Sequence, residues 1–535
     1  MPSTPSSPVV TINHSLGGGF GPNYTVQSNI LELSSRLASP NRSSLMAPKL
    51  SPSSVSTMAG DETFSNYGSS RPNTPGNQSN MVNGTSQRSA IQISWNKTIT
   101  SATSVSDITD LMYLYGNQFN AVNIATSLHR LASQFRFDVR RYSEAIRIVL
   151  DRARDTNFEG FSPRELANVI WAMAKTEMPC KEDVFNHVSR KAICSFSDVE
   201  YTPQAIANLL WGMAKAGYPN EALFDHLSAI AVRTGLRGFN AQNLSNSLWA
   251  LSTAQLPNSQ LFNMIGDFIV AEHNNLKGFS PQNMANAVWA MAKVNMPHIE
   301  LFELISLKAT ESKFSGFKPQ EIANLVWAMS TCRLTKLDLI IEVFAEIRNL
   351  VEWKPQELSN LVWAAGVCKE LHSGSAILQA PQYAHLENQF VSLVIEEVER
   401  RGGIVTWKPT EVSNLVHGLV TLGSEQKSSA IVSFVTPCIA KIKRENGFID
   451  WKMNELNNFV SGTVTLGLVD AEFLLLIAIK AAELYGQEPF GACAPSADGS
   501  SQESGSRKHS LMDDEDEGGI LGLLPPVVDF SDFIQ

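Results

Sequence analysis

The chain has no run of about eighteen apolar residues, which argues against a membrane-spanning helix. Its first residues, MPSTPSSPVVTINHS, lack a basic stretch followed by an apolar core, so no secretory signal is expected. Cysteine is scarce. The six cysteines (Cys180, Cys194, Cys332, Cys368, Cys438 and Cys493) stand singly with no C-x-x-C pair. That pattern suits a reducing compartment and argues against structural zinc or a disulfide framework. The ten histidines include no H-E-x-x-H, no serine sits in G-x-S-x-G, and no Walker motif is present. An enzyme therefore has no residues to carry it, and no cofactor, metal or small-molecule substrate is implied.

Net charge is −10, but ten acids face only two bases from Glu488 onward. The rest of the chain sits at about −2, so total charge neither supports nor excludes a nucleic-acid ligand. Composition divides the 535 residues into three. Residues 1–90 are rich in Ser, Pro, Asn and Gly and are expected to be disordered. Ser7-Pro8, Ser39-Pro40, Ser51-Pro52 and Thr74-Pro75 are candidate phosphorylation sites or plain linker. LGGGFG at 16–21 has no strand before it and no helix after it, as a phosphate loop requires. Residues 488–535 form an acidic, linker-like tail, solvated or serving as a short docking segment for other proteins.

Between the tails one phrase recurs. FSPRELANVIWAMAKTEMP begins at Phe161, YTPQAIANLLWGMAKAGYP at Tyr201 and FSPQNMANAVWAMAKVNMP at Phe279. With the leading aromatic as position 0, further copies begin at Phe239, Phe317, Trp353, Trp407 and Trp451, and a degenerate one at Phe119. A step near 38–40 residues is that of stacked helical hairpins. The longer steps before Trp407 and Trp451 predict loop insertions, one around 372–382. The sequence therefore predicts an all-α solenoid of about eight or nine repeats over 91–487, with disordered tails.

Each copy reads as a helix. Ser162 can cap it, Pro163 opens its first turn, and Glu165 completes a capping box. Leu166, Val169, Ile170 and Met173 form an amphipathic stripe, and Pro at +18 is expected to end the helix region. A second periodic segment, such as 182–196, supplies the other helix of the hairpin.

Small residues at +6, +11 and +13 allow close helix approach. Trp recurs at +10 (Trp171, Trp211, Trp249, Trp289, Trp327, Trp363) and is expected in the core between units, with an indole N–H that needs a partner. Asn stands at +7 in all eight good copies: Asn168, Asn208, Asn246, Asn286, Asn324, Asn360, Asn414 and Asn458. Asn is a middling helix former, so eight of them mid-helix need a reason. One reading is a structural ladder from unit to unit. The other is a row of amides offered to bases or to a peptide, and the two are compatible. Lys175, Lys215 and Lys293 at +14 share the face of +7 and +11. Gln or Arg at +3 adds a second polar row. Amide, gap and cation repeated every unit suit a single-stranded nucleic-acid backbone. Asn would contact bases or riboses and Lys phosphates, roughly one base per unit.

The phrase P-Q-E-L-A-N-x-x-W-A-x-A-K resembles octatricopeptide repeats and the arrays of FAST-kinase-like and RAP-domain proteins. The leader at 94–132 is similar to the segment that opens those arrays. Related helical-repeat subunits occur in the kinetoplastid mitochondrial RNA-editing substrate-binding complex. The resemblance covers roughly 94–487. It implies single-stranded RNA binding in RNA processing, stability, editing or translation, in a mitochondrion or plastid. No RAP domain and no kinase motif is present, and the first Arg is Arg36. Cytoplasm or nucleus stands as the alternative address. The rival reading is an armadillo-like scaffold for proteins or peptides, though there Asn follows Trp by a turn, whereas here it precedes Trp by three residues.

Overall fold

The computed structural model describes residues 82–487, apart from 135–138, 177–181, 273–275 and 424–427. The Ser/Thr-Pro pairs, LGGGFG and the acidic tail lie outside the described residues. Every long element is an α-helix, and the helices pair into ten hairpins among the described residues.

The first helices of the hairpins, the A helices, are α1 (Val82–Ser101), α3 (Ala121–Gln134), α5 (Pro163–Thr176), α7 (Pro203–Lys215), α9 (Ala241–Thr253), α11 (Pro281–Lys293), α13 (Pro319–Thr331), α15 (Pro355–Leu371), α17 (Pro409–Leu422) and α19 (Met453–Thr465). The B helices are α2 (Val105–Tyr115), α4 (Val139–Asp155), α6 (Glu182–Ser195), α8 (Glu221–Arg233), α10 (Ser259–Glu272), α12 (Ile299–Glu311), α14 (Leu337–Glu346), α16 (Pro381–Arg400), α18 (Ser428–Arg444) and α20 (Ala471–Gln487). Each A helix packs mainly on the A helices before and after it, and the B helices form a second, looser layer. Nine hairpins carry the repeated phrase. The tenth, α1–α2, precedes them without it.

The predicted stripe is the core. Leu166, Val169, Ile170 and Met173 are buried, as are Ala167, Ala172 and Ala174. Small +11 residues set the spacing of the A layer. At Gly418 an added Cβ would run into the Val362 backbone, and at Gly212 into the Ile170 side chain.

Helix starts follow the caps in the sequence. The Ser162 hydroxyl and N–H both donate to Glu165. Thr202 accepts from the Ala205 N–H at 3.1 Å. Asn240 and Asn243 form a reciprocal box, as do Ser280 and Asn283. In the last four units Lys occupies the cap, and only the carboxylate half of the box remains: the N–H groups of Lys318, Lys354, Lys408 and Lys452 donate to Glu321, Glu357, Glu411 and Glu455.

Helix ends differ from expectation. The stop is a left-handed residue at +16, ahead of the Pro at +18 in three units (Gly217, Gln255 and Asn295) and ahead of Thr335 in a fourth (Arg333), all with positive φ. The following N–H then closes on the carbonyl at +12, as from Tyr218 to Met213 and from Leu334 to Met329. This is the Schellman closure. Three of these four residues are not glycine, so each bears a left-handed strain that glycine avoids. The B-to-A links use the same device with a buried apolar residue, at Phe158, Leu236, Leu276 and Phe314, followed by a glycine and the aromatic at 0. The long step before Trp407 is absorbed by the 372–380 turns and the 20-residue α16.

Candidate nucleic-acid interface

Position +7 behaves in two ways along the array. At its C-terminal end Asn414 donates its amide to Asn360 at 3.3 Å, and Asn458 donates to Asn414 at 3.3 Å. The structural ladder therefore exists there. In the five earlier units Asn168, Asn208, Asn246, Asn286 and Asn324 are half-buried, and their amides make no hydrogen bond among the described residues.

Position +10 lies on the same side of each A helix, three residues on from the Asn. The expectation of core tryptophans holds for Trp211, 9% exposed, and in part for the other five, which pack against the core but are only half-buried. The reason is geometric: +3, +7, +10 and +14 share one face of the helix at the rim of the core, where side chains of adjacent A helices still touch in places, as Asn414 touches Asn360 and Trp211 touches Trp249. At the array's ends +10 carries imidazoles, His129 and His417, and then Ser461. His129 stacks on Trp171 with centroids 4.7 Å apart, and Trp211 meets Trp249 at 6.3 Å. Burial, with the neighbouring Arg130 charge adding to it, lowers the His129 pKa to about 4. The His417 pKa is also lowered by burial, against the pull of Glu370 at 3.9 Å.

Position +14 completes the stripe. The Lys293 ammonium lies 4.8 Å from the Trp289 ring centroid, and that of Lys175 5.5 Å from Trp171. Both distances fall within cation–π range. Partial burial lowers the Lys293 pKa below that of an ordinary lysine. Lys215 is half-buried at the equivalent place. The last four units lack this lysine. They carry Lys318, Lys354, Lys408 and Lys452 instead, all exposed, at the opposite end of the A helix.

The four stripe positions of the eight good copies contain no Asp or Glu, yet they hold Arg164, Lys175, Lys215 and Lys293. In a chain with 52 acids and 42 bases, the side chains at these positions carry a net positive charge. No group of acids, histidines and cysteines among the described residues could hold a metal ion, and no described helix is long and apolar enough to cross a membrane.

Residues 117–369 match the family model of the RNA-editing substrate-binding complex 6 protein. The likeness that the repeated phrase carries, to helical-repeat subunits of that complex, is thus found in the array itself. The match spans just under half of the chain and ends inside α15. No match is found among curated proteins. Among solved structures, the chain is similar to the pentatricopeptide repeat protein PPR10 in complex with an 18-nt psaJ RNA element, and to a cysteine-to-serine variant of it in the same complex. Each is 11% identical with a TM-score of 0.26, over 74% of this chain and 69% of the other. At that score the likeness carries no functional weight.

Sequence reasoning brought Asn168, Asn208, Asn246, Asn286 and Asn324 to the stripe together with Lys175, Lys215 and Lys293, and the structure places all of them there. It also placed Asn360 and Asn414 there, but their amides are engaged with each other. What it missed is that the indole row is only half-buried. The signal was available, since +10 falls between +7 and +14 on one helical face.

Proposed function

We propose that the chain binds single-stranded RNA along the A-helix stripe and acts in RNA editing or processing in a mitochondrion, as a binding component and not as an enzyme. The observation that carries this reading is the stripe itself: amides, indoles and ammonium groups in register, with no Asp or Glu at its positions. Amides can meet base edges and ribose hydroxyls, and lysines can neutralise phosphates. The matched family's description, an RNA-editing substrate-binding complex, supports the ligand class and the address.

A peptide reading would use the same Asn and Trp rows. It fits less well, because Lys175 and Lys293 already lie on indoles that a basic peptide would need, and the stripe positions of the eight good copies carry no Asp or Glu to receive it, Glu370 beside His417 lying off those positions. The test is crosslinking of the tagged protein in cells followed by sequencing of bound RNA. Enrichment of mitochondrial transcripts is expected. Recovery of peptide-bearing partners with no RNA would overturn the reading.

A further inference from the structure

None of the six +10 indole N–H groups makes a hydrogen bond among the described residues, and none is sealed from solvent. The indole N–H of Trp95, outside the row, is by contrast buried. The rings divide by what covers them. Trp171 lies against His129 and Lys175, and Trp211 and Trp249 lie against each other. Trp327 and Trp363 have no ring or cation partner among the described residues, and Trp289 has only the mobile end of Lys293. Three consecutive units thus present half-buried indoles with nothing flat or charged fixed on them.

A half-exposed tryptophan leaves apolar ring in water, and three in adjacent units form a row that a ligand can cover. What fits is visible one end of the row away: the His129 imidazole, a flat heteroaromatic ring, lies on Trp171 at an interplanar angle of 23°. Nucleobases have the same shape and chemistry, and they stack on aromatic side chains whatever their sequence.

We propose that Trp289, Trp327 and Trp363 are stacking sites for three successive unpaired bases of the bound strand. On binding, the Lys293 ammonium leaves the Trp289 ring for a phosphate, and a base takes its place. Each indole N–H, lying in the plane of its ring, points past the stacked base and donates to a ribose or phosphate oxygen of the strand. Paired bases are buried in their own stack, so duplex RNA is excluded from the row. The inference rests on the RNA reading above and goes beyond it in naming the residues that hold bases.

The test uses the full chain, an unstructured oligouridine, and an oligomer of equal length with abasic riboses. Trp327→Leu and Trp363→Leu, shown folded by circular dichroism, should each weaken oligouridine binding about tenfold and leave abasic binding unchanged. Trp327→Phe should retain most of the affinity, and Tyr113→Leu, a change at an exposed aromatic on α2 outside the stripe, should behave as wild type. Tryptophan fluorescence of the wild type should be quenched by oligouridine and not by the abasic oligomer. That reading needs no variant, so an unfolded variant does not spare the idea. Absence of quenching, or equal losses for both oligomers, would overturn the stacking role while leaving RNA binding intact. Failure of the wild type to bind either oligomer at low salt would instead remove the RNA reading itself.

Discussion

Asn414 donates its side-chain amide to the carbonyl oxygen of Asn360 at 3.3 Å and receives the amide of Asn458 at the same distance. The residue is thus a link, while Asn286, at the same position two units before Asn360, is not. Asn414→Ala would leave an oxygen and an amide unpaired at a largely buried site. It should cost about 1–3 kcal/mol in urea unfolding. Asn286→Ala should stay within about 0.5 kcal/mol of wild type, as a surface change does, yet lose RNA affinity. Equal stability losses would show that the +7 row has one role throughout.

Changing Lys175, Lys215 and Lys293 together to Ala should weaken single-stranded RNA binding and flatten its salt dependence. If each meets one phosphate, the slope of log K against log salt should fall by about 2. An unchanged slope would place the phosphates elsewhere, with Lys318, Lys354, Lys408 and Lys452 the next to change.

Gly418 shows how tightly the A layer is built. An added Cβ would meet the backbone of Val362 and Trp363, which cannot rotate away as a side chain can. Gly418→Ala should cost about 2–3 kcal/mol or more. At Gly212 the added Cβ would meet the Cγ2 methyl of the buried Ile170 at 2.6 Å and its backbone only at 3.2 Å, so Gly212→Ala should cost less. The comparison is read from two thermal melts.

Acidification should destabilise the array in two stages. The folded pKa of His129, about 4, lies below its ordinary 6.5, so the stability it contributes is full above pH 6.5 and is lost as pH falls toward 4. Glu397 is buried and held by Arg400 and Arg401, which lower its pKa from 4.5 to about 2. Its contribution is full above 4.5 and fades toward 2. His129→Gln should flatten the first stage of a Tm-against-pH curve and leave the second. A curve unchanged between pH 6.5 and 4 would exclude His129 as the cause.

Much of this fold is written in local periodicity. The stripe Leu166, Val169, Ile170 and Met173 is legible because a helix's own spacing decides which face is apolar. The first hairpin is not, since Val82–Ser101 carries no copy of the phrase and is recognised only by packing on α3. The exposure of Trp289 or Trp327 was misjudged for a related reason. Whether a ring is covered depends on how far the neighbouring A helices have turned, and that is a property of stacked units. The left-handed stops could have been found. The apolar-x-Gly-aromatic ending of four B helices, as in FEGF at 158–161 and FSGF at 314–317, marks those at Phe158, Leu236, Leu276 and Phe314.

The lysines that change ends of the A helix, from +14 in the early units to the cap position in the last four, give the track a gradient. A perfectly periodic surface would hold a chain molecule equally well after a slip of one unit. Here a slip of one unit toward the C-terminus moves a phosphate from beside Lys293 to beside Thr331, and a slip the other way moves a base from the open Trp289 to Trp249, which lies against another indole. Each displacement carries an energetic penalty, so the array can hold a strand in one alignment and one direction, as a keyed rail holds its carriage.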